Sequence, residues 1–293
     1  MSQLMFSNLL RDVLCGLIKR MSSYIRFLQR ADLPTIKPSF YAVANVSHGI
    51  GAVDGTHIAL VPPRRNEQVY RNSKNLHSVN VQVVCLKDQF ISQVMAKYPG
   101  SVPDSYIMWN SSVPHMMAPL KRDRIWLIST YSCICMPLTA LSAHCTFVSL
   151  PYCPPGPDMP CLSMHTGDSG CPNLLWLLTP MRRPSSAAED NYNEANGHTR
   201  WATERCFGLL QARFQCLHVS RGALLYNPQK VCQIIVACCM LHNLALMGYV
   251  PLLDAEEGVA VPVADEEDME SDEEEDDEDA ADSGAEIIQH YFG

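Results

Sequence analysis

At 293 residues, the chain is long enough for one sizeable core with room for a small second unit. Its 13 cysteines do not make it a secreted disulfide scaffold: Arg11, Asp12, Lys19, Arg20 and Arg26 interrupt the apolar positions of residues 1–30, leaving no signal-like stretch, so reduced thiols in the cytoplasm or nucleus are expected. The net charge of −9 is polarised, because 18 acidic residues and no Lys or Arg lie between Asp254 and Gly293, leaving 22 basic against 13 acidic residues in 1–253.

A basic body of about +9 with an acidic appendage suits a protein that meets a polyanion, and equally an ordinary soluble domain with a solvated tail. In chain order, residues 2–30 show helical spacing with Leu9, Val13, Leu17 and Met21 on one face, which predicts one or two short helices. Leu33 to Ser39 reads as a Pro-containing linker. Strand patterns begin near Ile50 and recur at Ser78–Cys85 and Gln89–Tyr98, the last two separated only by Leu86, Lys87 and Asp88, as in a hairpin. Asp104 stands just ahead of a predicted helix, where a carboxylate could cap backbone amides.

RDRIWLI reads as a further strand ending at Ile128. The next 38 residues, 129–166, carry one charge (Asp158), five cysteines and many prolines, with neither helical nor strand periodicity. This text is foreign to its surroundings and reads as a translated intron or gene-model error. A zinc knuckle from Cys133, Cys135, Cys145, Cys153, Cys161, His144 and His165 would need C-x-x-C or ordered His spacing, which is missing. After GDSG (Gly167–Gly170) and the apolar LLWLL comes a polar loop from Thr179 to about Asn191. A helix then buries the stripe Thr203, Phe207, Leu210, Phe214 and Leu217, with Glu204 at its edge. VCQIIVACCMLHNLALM (Val231–Met247) is short for a membrane span and contains His242 and Asn243, so it reads as a buried core helix. Val259 to Gly293 is expected to be disordered.

Four acids stand out by context: Asp54 within GAVDGTHIAL, Asp104, Asp168 and Glu204. Carboxylates gathered from separate elements suit a two-metal phosphoryl-transfer site, and hard oxygen donors favour Mg²⁺ or Mn²⁺. Each acid also has a plainer reading, in the same order: a turn residue, since Asp-Gly is a common hairpin dipeptide, a helix cap, a tight turn and a surface helix charge.

The surrounding phrases favour the first reading. GAVDGTHIAL, YRNSKNLHSVNVQVVC, PGSVPDSYI, GDSG, YNEA, TERCFGLLQARFQCL and VCQIIVACCMLHNLAL resemble the harbinger transposase-derived nucleases, the PIF/Harbinger branch of the DDE superfamily endonucleases, from about Leu14 to Pro251. The resemblance implies an α/β, RNase H-like fold: a mixed central sheet flanked by helices, here interrupted by the irregular insertion and followed by the disordered acidic tail. It implies an N-terminal helical remnant and linker over 1–38, an endonuclease domain over 39–253 and the tail over 254–293. Asp54 matches the acid of the first strand, Asp168 that at the end of the fourth and Glu204 that of a late helix, with Asp104 as a further metal position. DNA as substrate, a divalent cation, a Myb-like protein partner and a nuclear location, with some cytoplasmic presence, are implied too.

Several positions depart from the family phrases. Deleting 129–166 would restore RDRIWLIGDSGCP, a strand running straight into its acid. Gln211, Asn196, His198, Pro103 and Cys171 replace basic, His, Arg, His and aromatic residues of the relatives, which implies weaker phosphate contact. The relatives' N-terminal helix-turn-helix region is mostly lacking. Arg64, Arg65, Arg71 and Lys74 are candidates for DNA backbone contacts or simply a solvated basic loop. A catalytically inactive binding protein is therefore the rival to a nuclease, and a product too disrupted to fold, its central strand split by the insertion, is the third reading.

Overall fold

The computed structural model describes residues 3–44, 46, 48–129, 176–181, 184–250 and 252. Strand β1 (Gly49–Ala59) is the centre of a mixed five-stranded sheet, flanked by β2 (Ser78–Cys85) and β4 (Trp126–Ser129), with β3 (Ile91–Pro99) and the short β5 (Leu177–Leu178) at the edges. β1, β2 and β3 run antiparallel in sequence, whereas β4 is parallel to both β1 and β5. The alternation in 78–98 therefore does form the expected hairpin, closed where Leu86 N–H donates to the Phe90 carbonyl (2.9 Å) with Gln89 in the left-handed region at φ 62°.

Side chains of β1 alternate between two cores. Ala52 and Ile58, with Val79, Val81 and Val83 of β2, face α6 (Ala187–Arg213) and α7 (Pro228–Met247), which contribute Cys206, Leu210, Ile235 and Cys239. Val53, Val84 and Leu127 face the other way, onto α4 (Asp104–Trp109) and α5 (Val113–Met117) through Met108, Val113 and Met117. This is an α/β fold with helices on both sides of the sheet, consistent with the DDE endonuclease architecture.

The N-terminal region holds α1 (Gln3–Ile18) and α2 (Met21–Tyr24), as its spacing predicts, but the buried stripe is rotated from the predicted face. Leu14 is buried, with Leu10, Leu17 and Met21 against the core, while Leu9 and Val13 are exposed. Leu33 to Ser39 is not a linker: it begins helix α3 (Leu33–Ala44). Pro34 lies in the first turn, where the missing N–H has no intrahelical partner anyway, and buried Phe40 anchors the helix so that Pro38 is tolerated. α6 begins earlier than the polar composition of 179–191 suggested, because Ser186 and Glu189 form a capping box. Its predicted stripe is only partly helical, since Phe214 closes α6 and Leu217 is buried in the 3₁₀ turn that follows.

Helix α7 is a core helix, as expected. Among the described residues it is the one helix long and apolar enough to cross a membrane, and half of that stretch is buried inside the fold. Its polar pair is put to use. Asn243 accepts from Ile91 N–H (2.9 Å) and donates to the Ile91 carbonyl (2.7 Å) and the Tyr24 carbonyl (2.9 Å), so one amide joins α7, the edge strand β3 and the end of α2. The seven described cysteines are all free thiols.

Candidate active site

Asp54 sits within β1, opposite Val83 of β2, on the face covered by α6; the Asp-Gly turn reading does not hold. It is half-buried. Its Oδ1 accepts from Gly55 N–H (2.8 Å) and its Oδ2 from the Thr203 hydroxyl (3.0 Å), which also donates to the Arg200 carbonyl (2.8 Å). β1 and β4 are paired so that Val53 lies opposite Ser129, the last residue of β4. The chain thus leaves β4 beside Asp54.

Four residues hold α6 against this position. At its N-terminal end Tyr192 donates to the Thr179 carbonyl (2.6 Å), and Asn193 makes a reciprocal pair with the Met181 backbone (2.9 and 2.8 Å) just after β5. Tyr192 and Asn193 of the phrase YNEA therefore clamp this end of the helix. In the middle of the helix, fully buried Thr203 meets Asp54, and Cys206 Sγ reaches the Gln89 carbonyl (3.4 Å). Glu204 follows Thr203 on α6, one residue beyond the side chain that meets Asp54 and about 100° further around the helix. The Glu204 side chain is 40% exposed and pairs with Arg200 Nε at 3.0 Å, one turn back. Of the positions that differ from the family phrases, Asn196 is buried and His198 exposed on the same helix.

Asp104 is on the other side of the sheet. It is the first residue of α4 and makes no side-chain cap; its Oδ1 instead accepts from buried Asn80 of β2 (2.7 Å), which also donates to the Val102 carbonyl (3.0 Å). Asn80 pairs with His57, three residues beyond Asp54 and on the opposite face. His57 Nδ1 lies 3.0 Å from the Ser78 hydroxyl, which also accepts from Asn72 (3.2 Å). Burial pushes the Asp104 carboxyl above its ordinary value, against the pull of the Asn80 hydrogen bond and the nearby imidazole. Burial lowers the His57 imidazole, with Asp104 opposing and Lys74 adding to the effect. The glycine of the PGS phrase, Gly100, is required by packing in this region: a Cβ there would meet the Tyr70 carbonyl at 2.7 Å and collide with the Ser78 hydroxyl.

Asp168 lies outside the described residues, as do Cys171 and every Cys and His of the zinc-knuckle alternative. Among the described residues no three His, Cys, Asp or Glu side chains form a group able to hold a metal ion. Arg64, Arg65, Arg71 and Lys74 are exposed on the β1–β2 connection, and none of them makes an ion pair among the described residues. Sequence reasoning gave Tyr192 and Asn193 no individual role and read Thr203 only as part of the buried stripe, where a hydroxyl among apolar residues was the available signal.

Residues 53–243 match the family model of the DDE superfamily endonucleases. Curated relatives include "Putative nuclease HARBI1" of Bos taurus and of Homo sapiens, each 31% identical over 246 residues, covering 84% of this chain and 60% of the relative. "Protein ALP1-like" of Arabidopsis thaliana is 24% identical over 219 residues, 73% of this chain and 47% of that protein. No solved structure matches. The chain spans about 60% of the length of the HARBI1 relatives. With most of β1 through α7 inside the matched region, the chain belongs to the DDE superfamily endonucleases, in their harbinger transposase-derived branch.

Proposed function

We propose that this chain is a metal-dependent DNA endonuclease with an RNase H-like catalytic core, hydrolysing phosphodiester bonds at a site formed by Asp54, Asp168 and Glu204. The observation that supports the reading is the packing of α6 on β1 through the Thr203–Asp54 hydrogen bond, with Glu204 the next residue of α6, together with the Val53–Ser129 register that ends β4 next to Asp54. In the uninterrupted family phrase the residue two beyond Ile128 would be the acid now numbered Asp168.

The donors fit a hard divalent cation. Both described acids offer carboxylate oxygens, and Glu204 is held only by an exposed helical ion pair worth on the order of 0.3–0.5 kcal/mol, too weak to withhold it from a cation. When bound, Mg²⁺ or Mn²⁺ supplies an activated water and charge stabilisation at the leaving oxygen of an in-line displacement. Asp54 is oriented by Gly55 N–H and Thr203, Glu204 is positioned by α6, and Arg200 is freed towards a phosphate when Glu204 changes partner. Asp104, at the start of α4, would serve an ion only from the far face of the sheet, so the set Asp54, Asp168 and Glu204 is proposed without it. Exposed Arg64, Arg65, Arg71 and Lys74 are assigned to the DNA backbone. A nuclear site of action with cytoplasmic passage, and a Myb-like protein partner, belong to the same proposal.

The test is nicking of supercoiled plasmid with Mg²⁺ or Mn²⁺, alongside a Mn²⁺-induced rise in melting temperature. Asp54→Ala is expected to lower nicking at least about a hundredfold and to abolish the thermal shift; nicking by the variant at the wild-type rate overturns the proposal. A second reading, a DNA-binding relative without turnover, draws on the 38 residues that separate Ile128 from Gly167. It predicts salt-sensitive DNA binding with no cleavage under any metal.

A further inference from the structure

We propose that Trp201 and Arg205 form a stacking platform for an unpaired nucleotide of the DNA beside the Asp54–Glu204 site; the inference rests on the nuclease reading for the class of its ligand. Around α6, at 100° per residue, the order is Thr203 facing Asp54, then Glu204, then Trp201, then Arg205. Trp201 is 54% exposed, although an indole of this size is seldom left so open on a helix. A second observation gives that exposure a use. The Arg205 guanidinium carbon lies 5.2 Å from the centroid of the Trp201 ring, and Arg205 makes no ion pair among the described residues.

A guanidinium stacked on one face of an indole leaves the other face for a base and keeps a positive charge ready for the adjoining phosphate. A nucleotide presents both groups at that spacing. Gly197, one turn before Trp201 on the same side of the helix, has nothing within 4 Å of where a Cβ would stand, so the surface next to the indole is open in that direction. The ligand has to be unpaired because a base within a duplex has both faces covered by its neighbours. Such a platform would therefore hold a frayed or single-stranded flank, and Trp201 would set a preference for unpaired and distorted DNA over fully paired duplex.

The experiment is fluorescence anisotropy with the full chain in EDTA, so that binding is read apart from cleavage, using fluorescein-labelled oligo(dT)20 and a blunt 20-base-pair duplex. Trp201→Ala is expected to weaken oligo(dT) binding by about 5- to 100-fold with the salt slope unchanged, since no charge is removed. Trp201→Phe should retain most of the affinity, duplex binding should move less than about twofold, and Arg205→Ala should reduce the salt slope. Equal oligo(dT) affinity for wild type and Trp201→Ala overturns the platform, as does a wild type that does not bind oligo(dT) or a Trp201→Ala loss that is equal for duplex. Failure of the nuclease reading shows separately, as absent nicking in Mg²⁺, and leaves this measurement intact.

Discussion

Asp54 illustrates how far a single residue can be read before its surroundings are known. A carboxylate inside an apolar strand phrase needs compensation, and that much was legible in GAVDGTHIAL. What compensates it was not, because the Thr203 hydroxyl comes from 149 positions away and reaches Asp54 only through the packing of α6 on β1. Thr203→Val keeps the shape but removes that donor, so it should lower Mg²⁺-dependent nicking about tenfold and stability by about 1 kcal/mol, read from plasmid relaxation and urea denaturation. Asp104 carries a prediction of its own. Its native carboxyl is raised above the ordinary value, so the fold favours the protonated form and loses that contribution as pH rises through the native value. Asp104→Asn keeps an acceptor for Asn80 and cannot ionise. The variant's stability relative to wild type should rise as pH climbs from the ordinary carboxylate range through the raised native value in denaturant titrations; a constant difference would contradict the assignment. His57, which faces this carboxylate, is unchanged in the variant, as is Lys74, which acts on His57.

Among the elements, the hairpin of β2 and β3 and the core helix α7 were the most legible, since alternation and a long apolar run each leave few other structures. Helix α3 was hidden by its prolines: composition reports what a residue dislikes, whereas Phe40 packing decides what it tolerates. The start of α6 was written in Ser186 and Glu189, a capping signal obscured by the polar stretch around it. Asn243 shows the reverse case, a polar residue visible in an apolar helix whose task only the fold reveals. Asn243→Leu would leave the Ile91 N–H and two carbonyls without partners in the interior. A loss of about 2–4 kcal/mol is expected, measured as a lower denaturation midpoint at unchanged slope.

On the scale of the whole molecule, the strand that precedes the insertion keeps both of its neighbours. Residues 129–166 were expected to split a central strand, yet β4 is paired on both sides: Ile128 lies opposite Ala52 of β1 and Leu178 of β5, and Leu127 N–H donates to the Trp176 carbonyl (2.8 Å). A shortened chain joining Ile128 directly to Gly167 should therefore unfold at a similar denaturant concentration while nicking at least about a hundredfold faster, because its acid would follow β4 directly. Equal rates for the two chains would show that the position of Asp168 does not limit turnover. The β4 exit consequently separates two kinds of selection. On the proposed reading, a length change at that joint would be nearly silent to the equilibrium between native and denatured chains but immediate in its effect on turnover. Cellular abundance or solubility would therefore be a poor guide to whether a given transcript of this gene still encodes a working catalyst.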